Sequence, residues 1–195
     1  MATPGQPANL TGTRGFAAAL QGAADVVSVA GAWLAGGCIV ALTLLVLVDT
    51  LLAFASRHIP AVPSGTGVGW EYSAYLMGAA FVLGAGLTLR TGLQLRVEIL
   101  LSAGRGRIAR VLELFAAALG SLVTTSLTLW LAQFTLRTHG YGEVSQDSFT
   151  PLWIPQAVLT LGMGVLAFQM LARLVTCLAG GRLNKPELGV STAIE

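Results

Sequence analysis

The chain has 195 residues, 54% of them hydrophobic and only 10% charged, with a mean hydropathy of +0.75. An ordinary soluble domain carries about 25% charged residues, so these side chains could not cover a water-facing surface, and both a soluble fold and a disordered chain are excluded. The net charge of +2, from 11 Lys and Arg against 9 Asp and Glu without a dense basic tract, offers nucleic acid no footing.

Residues 1–25 are rich in small residues, contain Pro4, Pro7 and a single basic side chain, Arg14, and read as a flexible or interfacial cytoplasmic lead-in. The apolar run after them is far longer than the roughly 7 to 15 residues of a cleaved signal's core, so it is expected to remain as a membrane anchor.

Crossing about 30 Å of hydrocarbon takes about 20 apolar residues as a helix, and four runs of that size are present. The first span is predicted over 26–54. The second, over 72–89, is the shortest and glycine-rich, and is expected to stand upright. The third and fourth are predicted over 111–136 and 152–178, followed by a cytoplasmic tail, 179–195. Water is absent from the bilayer core, so each run must satisfy its own backbone groups as a helix. The fold class is therefore all-α integral membrane, with four transmembrane helices whose neighbours are antiparallel, forming one membrane domain over 26–178.

Orientation follows from the basic residues, because short loops rich in Lys and Arg stay on the cytoplasmic side. Nine lie on one side: Arg14, then Arg90, Arg96, Arg105, Arg107 and Arg110 between spans two and three, then Arg173, Arg182 and Lys185. Only Arg57 and Arg137 lie on the other. Both termini are thus expected in the cytoplasm. Trp70, Tyr72, Tyr75, Tyr141 and Trp153 cluster at the opposite ends of the spans, where amphipathic rings favour the boundary.

Between spans two and three the sequence LRTGLQLRVEIL breaks the apolar pattern. Gly92 suits a turn after the second helix, and Leu93 to Ile99 alternates apolar with polar residues, which predicts an extended or interfacial segment. Arg107, Arg110 and Glu113 then recur every three residues, as on one side of a helix leaving the interface.

No catalytic, cofactor or metal constellation stands out. Cys38 and Cys177 read as packing residues, and His58 and His139 fall in outer loops, out of reach of haem between helices. Asp49, Glu71 and Glu113 lie near span ends, avoiding the bilayer centre. Gln133, Gln156 and Gln169 read as interhelical hydrogen-bond formers. Small residues recur every fourth position, as Ser28, Ala32 and Gly36, as Ala74 and Gly78, as Ala80 and Gly84, and as Ala116, Gly120, Thr124 and Thr128, which lets helices approach closely in lipid.

Taken together, Val48-Asp49 through Arg57, Glu71, the segment Arg90-Thr91-Gly92-Leu93-Gln94-Leu95-Arg96-Val97-Glu98, and Pro151-Leu152-Trp153 resemble the small permease (Q) subunit of TRAP transporters, the tripartite ATP-independent periplasmic transporters. The resemblance spans roughly 26–178. Gln94 stands where relatives commonly have histidine, and Glu98 where they often have aspartate. The resemblance implies a brace in the bacterial inner membrane for a large (M) permease subunit, whose transport domain moves elevator fashion. A periplasmic solute-binding protein would deliver the solute, usually an organic acid, for ion-coupled uptake. It implies neither an enzyme nor a substrate site in this chain. Candidate interface and topology residues are Arg57, Glu71, Arg90, Gly92, Arg96, Glu98, Arg107, Arg110 and Trp153, with Arg57 and Glu71 expected to pair and Arg90, Arg96 and Glu98 to order the inner loop. The alternative is a self-sufficient oligomeric transporter or channel, which would need a deep membrane charge.

Overall fold

Each apolar run closes its backbone hydrogen bonds within itself, as hydrocarbon requires. A computed structural model, which describes residues 8–91 and 107–179, contains α1 (Ala8–Ser56), α2 (Gly69–Thr91), α3 (Arg107–Tyr141) and α4 (Trp153–Leu178). All four are long and apolar enough to cross a membrane. The interfacial segment expected between the second and third helices, with Gly92, Arg96 and Glu98, lies outside the described residues.

The first helix begins earlier than expected. Beyond Pro7 the stretch before Val26 holds no proline and is rich in Ala, so nothing stops the helix from extending to Ala8. Its 49 residues run about 73 Å at 1.5 Å per residue, more than twice the roughly 30 Å of a hydrocarbon core. The third helix likewise passes the expected end at Leu136 by a further turn, to Tyr141.

The fourth helix is the hub. It packs on α1, α2 and α3, while α1 and α2 form an antiparallel hairpin and α3 rests on α4 with little contact to the other two. Side-chain pairings give the direction of each contact. Gln21 meets Thr176 and Ser28 meets Gln169, so α1 and α4 are antiparallel; Glu113 meets Arg173 and Thr135 meets Thr160, so α3 and α4 are too.

Small residues make these contacts close, though not always those the spacing suggested. On α1 the buried line is Ala24, Ser28, Gly31 and Ala35, whereas Gly36 is exposed with nothing nearby. The helical repeat of 3.6 carries the contact from Ser28 to Gly31 and away from Ala32. A Cβ on Gly31 would sit 2.8 Å from the Leu83 carbonyl oxygen, and one on Gly162 would sit 2.5 Å from Val82 Cγ2. Ala35, Ala79 and Leu83 form the apolar centre, with Cys38 packed against them, as expected of a thiol used for filling space.

This predicts a contrast. Gly162→Ala, which must push two helices apart, should cost about 1–3 kcal/mol by overpacking, while Gly36→Ala should leave the thermal midpoint in detergent unchanged or slightly raised. Equal midpoints for the two variants would refute the packing assignment.

At the end where α1 turns into α2, Asp49 closes the loop. Its Oδ1 accepts the Thr66 amide at 2.8 Å, and its carboxylate lies so close to Gly69 that a Cβ there would collide with it. Glycine at the start of α2 thus admits a carboxylate to the positive end of the helix dipole.

Candidate functional site: an ionic layer across the four helices

Each helix carries an apolar stretch bounded by a charge. The uncharged runs are Val26–Val48, Tyr72–Leu89, Leu114–Leu136 and Trp153–Ala172, of 23, 18, 23 and 20 residues, and at one end they stop at Asp25, Arg90, Glu113 and Arg173. Folding brings all four to a single level. Two are acidic and two basic, one on each helix.

They pair within each hairpin. Arg90 Nε lies 2.8 Å from Asp25 Oδ1, joining α2 to α1, and Arg173 Nη2 lies 2.6 Å from Glu113 Oε1, joining α4 to α3. The hairpins are then tied to each other. Arg173 Nη1 donates to the Leu89 carbonyl at 3.4 Å, close to the carboxyl end of α2, where a cation also meets the negative end of the helix dipole.

Around Asp25 a set of neutral groups completes the layer. Gln21 Nε2 donates to its Oδ1 at 3.0 Å and Gln169 Nε2 at 3.5 Å, while Gln169 Oε1 accepts from Ser28 Oγ and Gln21 Oε1 accepts from Thr176 Oγ1. Gln169 and Ser28 are fully enclosed. A buried ion costs several kcal/mol of desolvation unless other polar groups replace its water, and here α1 and α4 supply them. The result is a neutral, hydrogen-bonded plate rather than an open binding site. Among the described residues it holds no nucleophile beside a base, and both of its carboxylates are paired with arginines.

The sequence placed Arg90 in the right neighbourhood but aimed it the wrong way. It is 7% exposed and points into the helices rather than toward loop or lipid. Asp25 was assigned to the lead-in, because a composition window sees only the edge of the apolar run there. The readable signal was that every uncharged run ends in an ionisable residue at a comparable length. Arg107 and Arg110 fall at the start of α3, and their side chains lie outside the described residues. Of the three glutamines, Gln169 bridges helices as expected, Gln156 is half-buried, and Gln133 is exposed.

At the opposite end, Glu71 does not pair with Arg57, which is exposed. Glu71 instead accepts a hydrogen bond from Tyr75 one turn on, and the Ser145 and Ser148 hydroxyls lie against it. The segment between α3 and α4 is folded back onto the start of α2 through Trp70 Nε1 to Asp147 at 3.0 Å and Tyr72 to Thr150 at 2.8 Å. A local neutral cap therefore replaces the ion pair. Trp153 opens α4 with its ring edge-on to His139, centroids 5.1 Å apart.

A family model described as "Tripartite ATP-independent periplasmic transporters, DctQ component" matches residues 42–180. The match takes in Arg90, Glu113 and Arg173 but not Asp25. No curated protein and no solved structure matches the chain.

Proposed function

We propose a function from one premise: the chain belongs to the DctQ family, the small membrane component of tripartite ATP-independent periplasmic (TRAP) transporters. It is a multi-pass membrane protein and a transporter component. Its role is to brace the large permease subunit as a fixed scaffold, while that subunit carries the solute and the coupling ion. The solute is a small organic acid presented by a periplasmic solute-binding protein. The chain sits in the bacterial inner membrane with both termini in the cytoplasm, so that the ionic layer lies at the cytoplasmic boundary.

The observation that supports a brace is the ionic layer itself. A carrier needs an ionisable group or a broken helix at depth that changes partners during transport. Here Asp25, Arg90, Glu113 and Arg173 are matched across helices and wrapped in amides and hydroxyls, which favours one fixed arrangement. Moving α1, α2 or α4 along its axis would strip at least two of these contacts at once.

Reconstitution tests the reading. Vesicles containing this chain with the large subunit, supplied with the solute-binding protein and an ion gradient, should accumulate solute, and vesicles containing this chain alone should not. Uptake by the chain alone would overturn the role.

A further inference from the structure

Two acidic residues are buried among the described residues, Asp25 and Glu71, and only one of them has a cation. Asp25 lies against Arg90. Glu71, 7% exposed, forms no ion pair among the described residues, and Arg57, the cation the sequence offered it, is exposed. Buried charges are paired or bound to metal ions, because their lost hydration is too costly to leave uncompensated. Glu71 also stands in the first turn of α2, where the helix dipole favours a carboxylate.

The two oxygens of Glu71 differ. Oε1 accepts from the Tyr75 hydroxyl, whereas Oε2 is enclosed and accepts no hydrogen bond from the described residues. A buried acceptor left open in this way points to an absent water or ion. The Ser145 and Ser148 hydroxyls and the Ser148 amide lie beside the carboxylate, yet none of them reaches Oε2 in a bonding geometry. Ser148 gives its hydrogen to Thr150 Oγ1 at 2.7 Å, so toward Glu71 it can offer only lone pairs. Lone pairs facing a carboxylate repel unless a positive charge stands between them.

The oxygens are held in place beforehand. Ser145 N donates to the Thr150 carbonyl at 2.9 Å, Trp70 Nε1 to Asp147 at 3.0 Å, and Tyr72 bonds Thr150 at 2.8 Å. An all-oxygen set suits a hard cation. Calcium takes about six to eight oxygens, commonly with several carboxylates among them. Here one buried carboxylate stands among neutral oxygens, since Glu143 and Asp147 in the same segment are exposed, and a single positive charge balances it.

We propose that Glu71 Oε2, with the hydroxyl oxygens of Ser145 and Ser148, binds a monovalent alkali cation that fastens the segment between α3 and α4 to the start of α2. The ion is a fixed structural one, doing for Glu71 what Arg90 does for Asp25 at the other end of the helices. The inference goes beyond the brace reading and needs no second subunit.

The test follows the thermal midpoint of the purified full chain in detergent as choline chloride is replaced by sodium or potassium chloride at constant ionic strength, which holds screening fixed. A ligand that binds only the folded state raises the midpoint progressively with its concentration, so sodium, potassium or both should raise it above that in choline, an ion too bulky for an enclosed oxygen. Glu71→Gln should abolish the response and, in choline, melt at or above wild type, because the uncompensated charge is gone. Ser145→Ala combined with Ser148→Ala should weaken the apparent alkali affinity by about ten- to hundredfold, as when supporting partners of other metal sites are removed. Wild-type midpoints equal in all three salts would overturn the site and leave Glu71 with water or its hydrogen bonds alone. A stronger response to calcium chloride than to either alkali salt would overturn the single charge. An alkali response that persists in Glu71→Gln would put the ion elsewhere and overturn the proposal. If Glu71→Gln does not fold, the serine double variant decides, and an alkali response there equal to wild type overturns the site. Each of these results leaves the brace reading untouched.

Discussion

Arg90→Ala is expected to unfold or disassemble the protein far more readily than its single lost side chain suggests. Arg90 and Asp25 are both buried, and removing one partner of such a pair typically costs about 3–5 kcal/mol, because the other is left as an uncompensated ion. Asp25 keeps its bonds from Gln21 and Gln169 in that variant, but two neutral amides do not balance a carboxylate. Combining Asp25→Asn with Arg90→Gln should recover most of the loss, since both charges leave together and an asparagine oxygen can still accept from Gln21. Thermal midpoints of wild type, R90A and D25N/R90Q in one detergent check this, with uptake measured in parallel. The order expected is wild type, then the double variant, then R90A. A midpoint for R90A equal to wild type would show that the pair carries no weight.

How much of this was visible beforehand depends on what each residue answers to. Hydrocarbon imposes strong one-dimensional rules, so the existence of four helices and their antiparallel neighbours were legible from composition and spacing. The inward direction of Arg90 was not, because the same arginine can face headgroups or a partner helix, and only the neighbour decides. Asp25 was hidden for a related reason. It sits a residue before an apolar run, where a carboxylate reads as the end of a loop, and its meaning appears only when Arg90, 65 positions later, arrives beside it. The expected pair of Arg57 with Glu71 failed on the same ground, since Tyr75 donates to Glu71 and the hydroxyls of Ser145 and Ser148 lie beside it, at positions that charge pairing ignores. Helix faces were readable to within about a third of a turn, which is why Ser28 was assigned correctly to the contact while Gly36 was not.

Arg173 poses the sharper test of the ionic layer, because it serves both hairpins. One of its nitrogens holds Glu113 and another reaches the Leu89 carbonyl. Arg173→Leu should therefore destabilise, by less than the roughly 3–5 kcal/mol of a fully buried pair with one partner removed, because the Glu113 left behind is only half-buried. The double variant Glu113→Gln with Arg173→Gln should behave differently from D25N/R90Q. Removing both charges relieves the ion, yet the Leu89 carbonyl still loses its donor, and a buried unsatisfied acceptor costs about 1–3 kcal/mol. Recovery should thus be only partial. Arg173→Lys separates the same two contributions, since an ammonium can reach Glu113 but lacks the planar fork that serves two acceptors at once. It should lie between R173L and wild type. If E113Q/R173Q recovers as completely as D25N/R90Q, the bond to Leu89 contributes nothing, and the two hairpins are joined by the Ser28, Gln169 and Gln21 contacts instead. Should both double variants stay as unstable as the singles, the layer would act through the shape of its side chains rather than through charge.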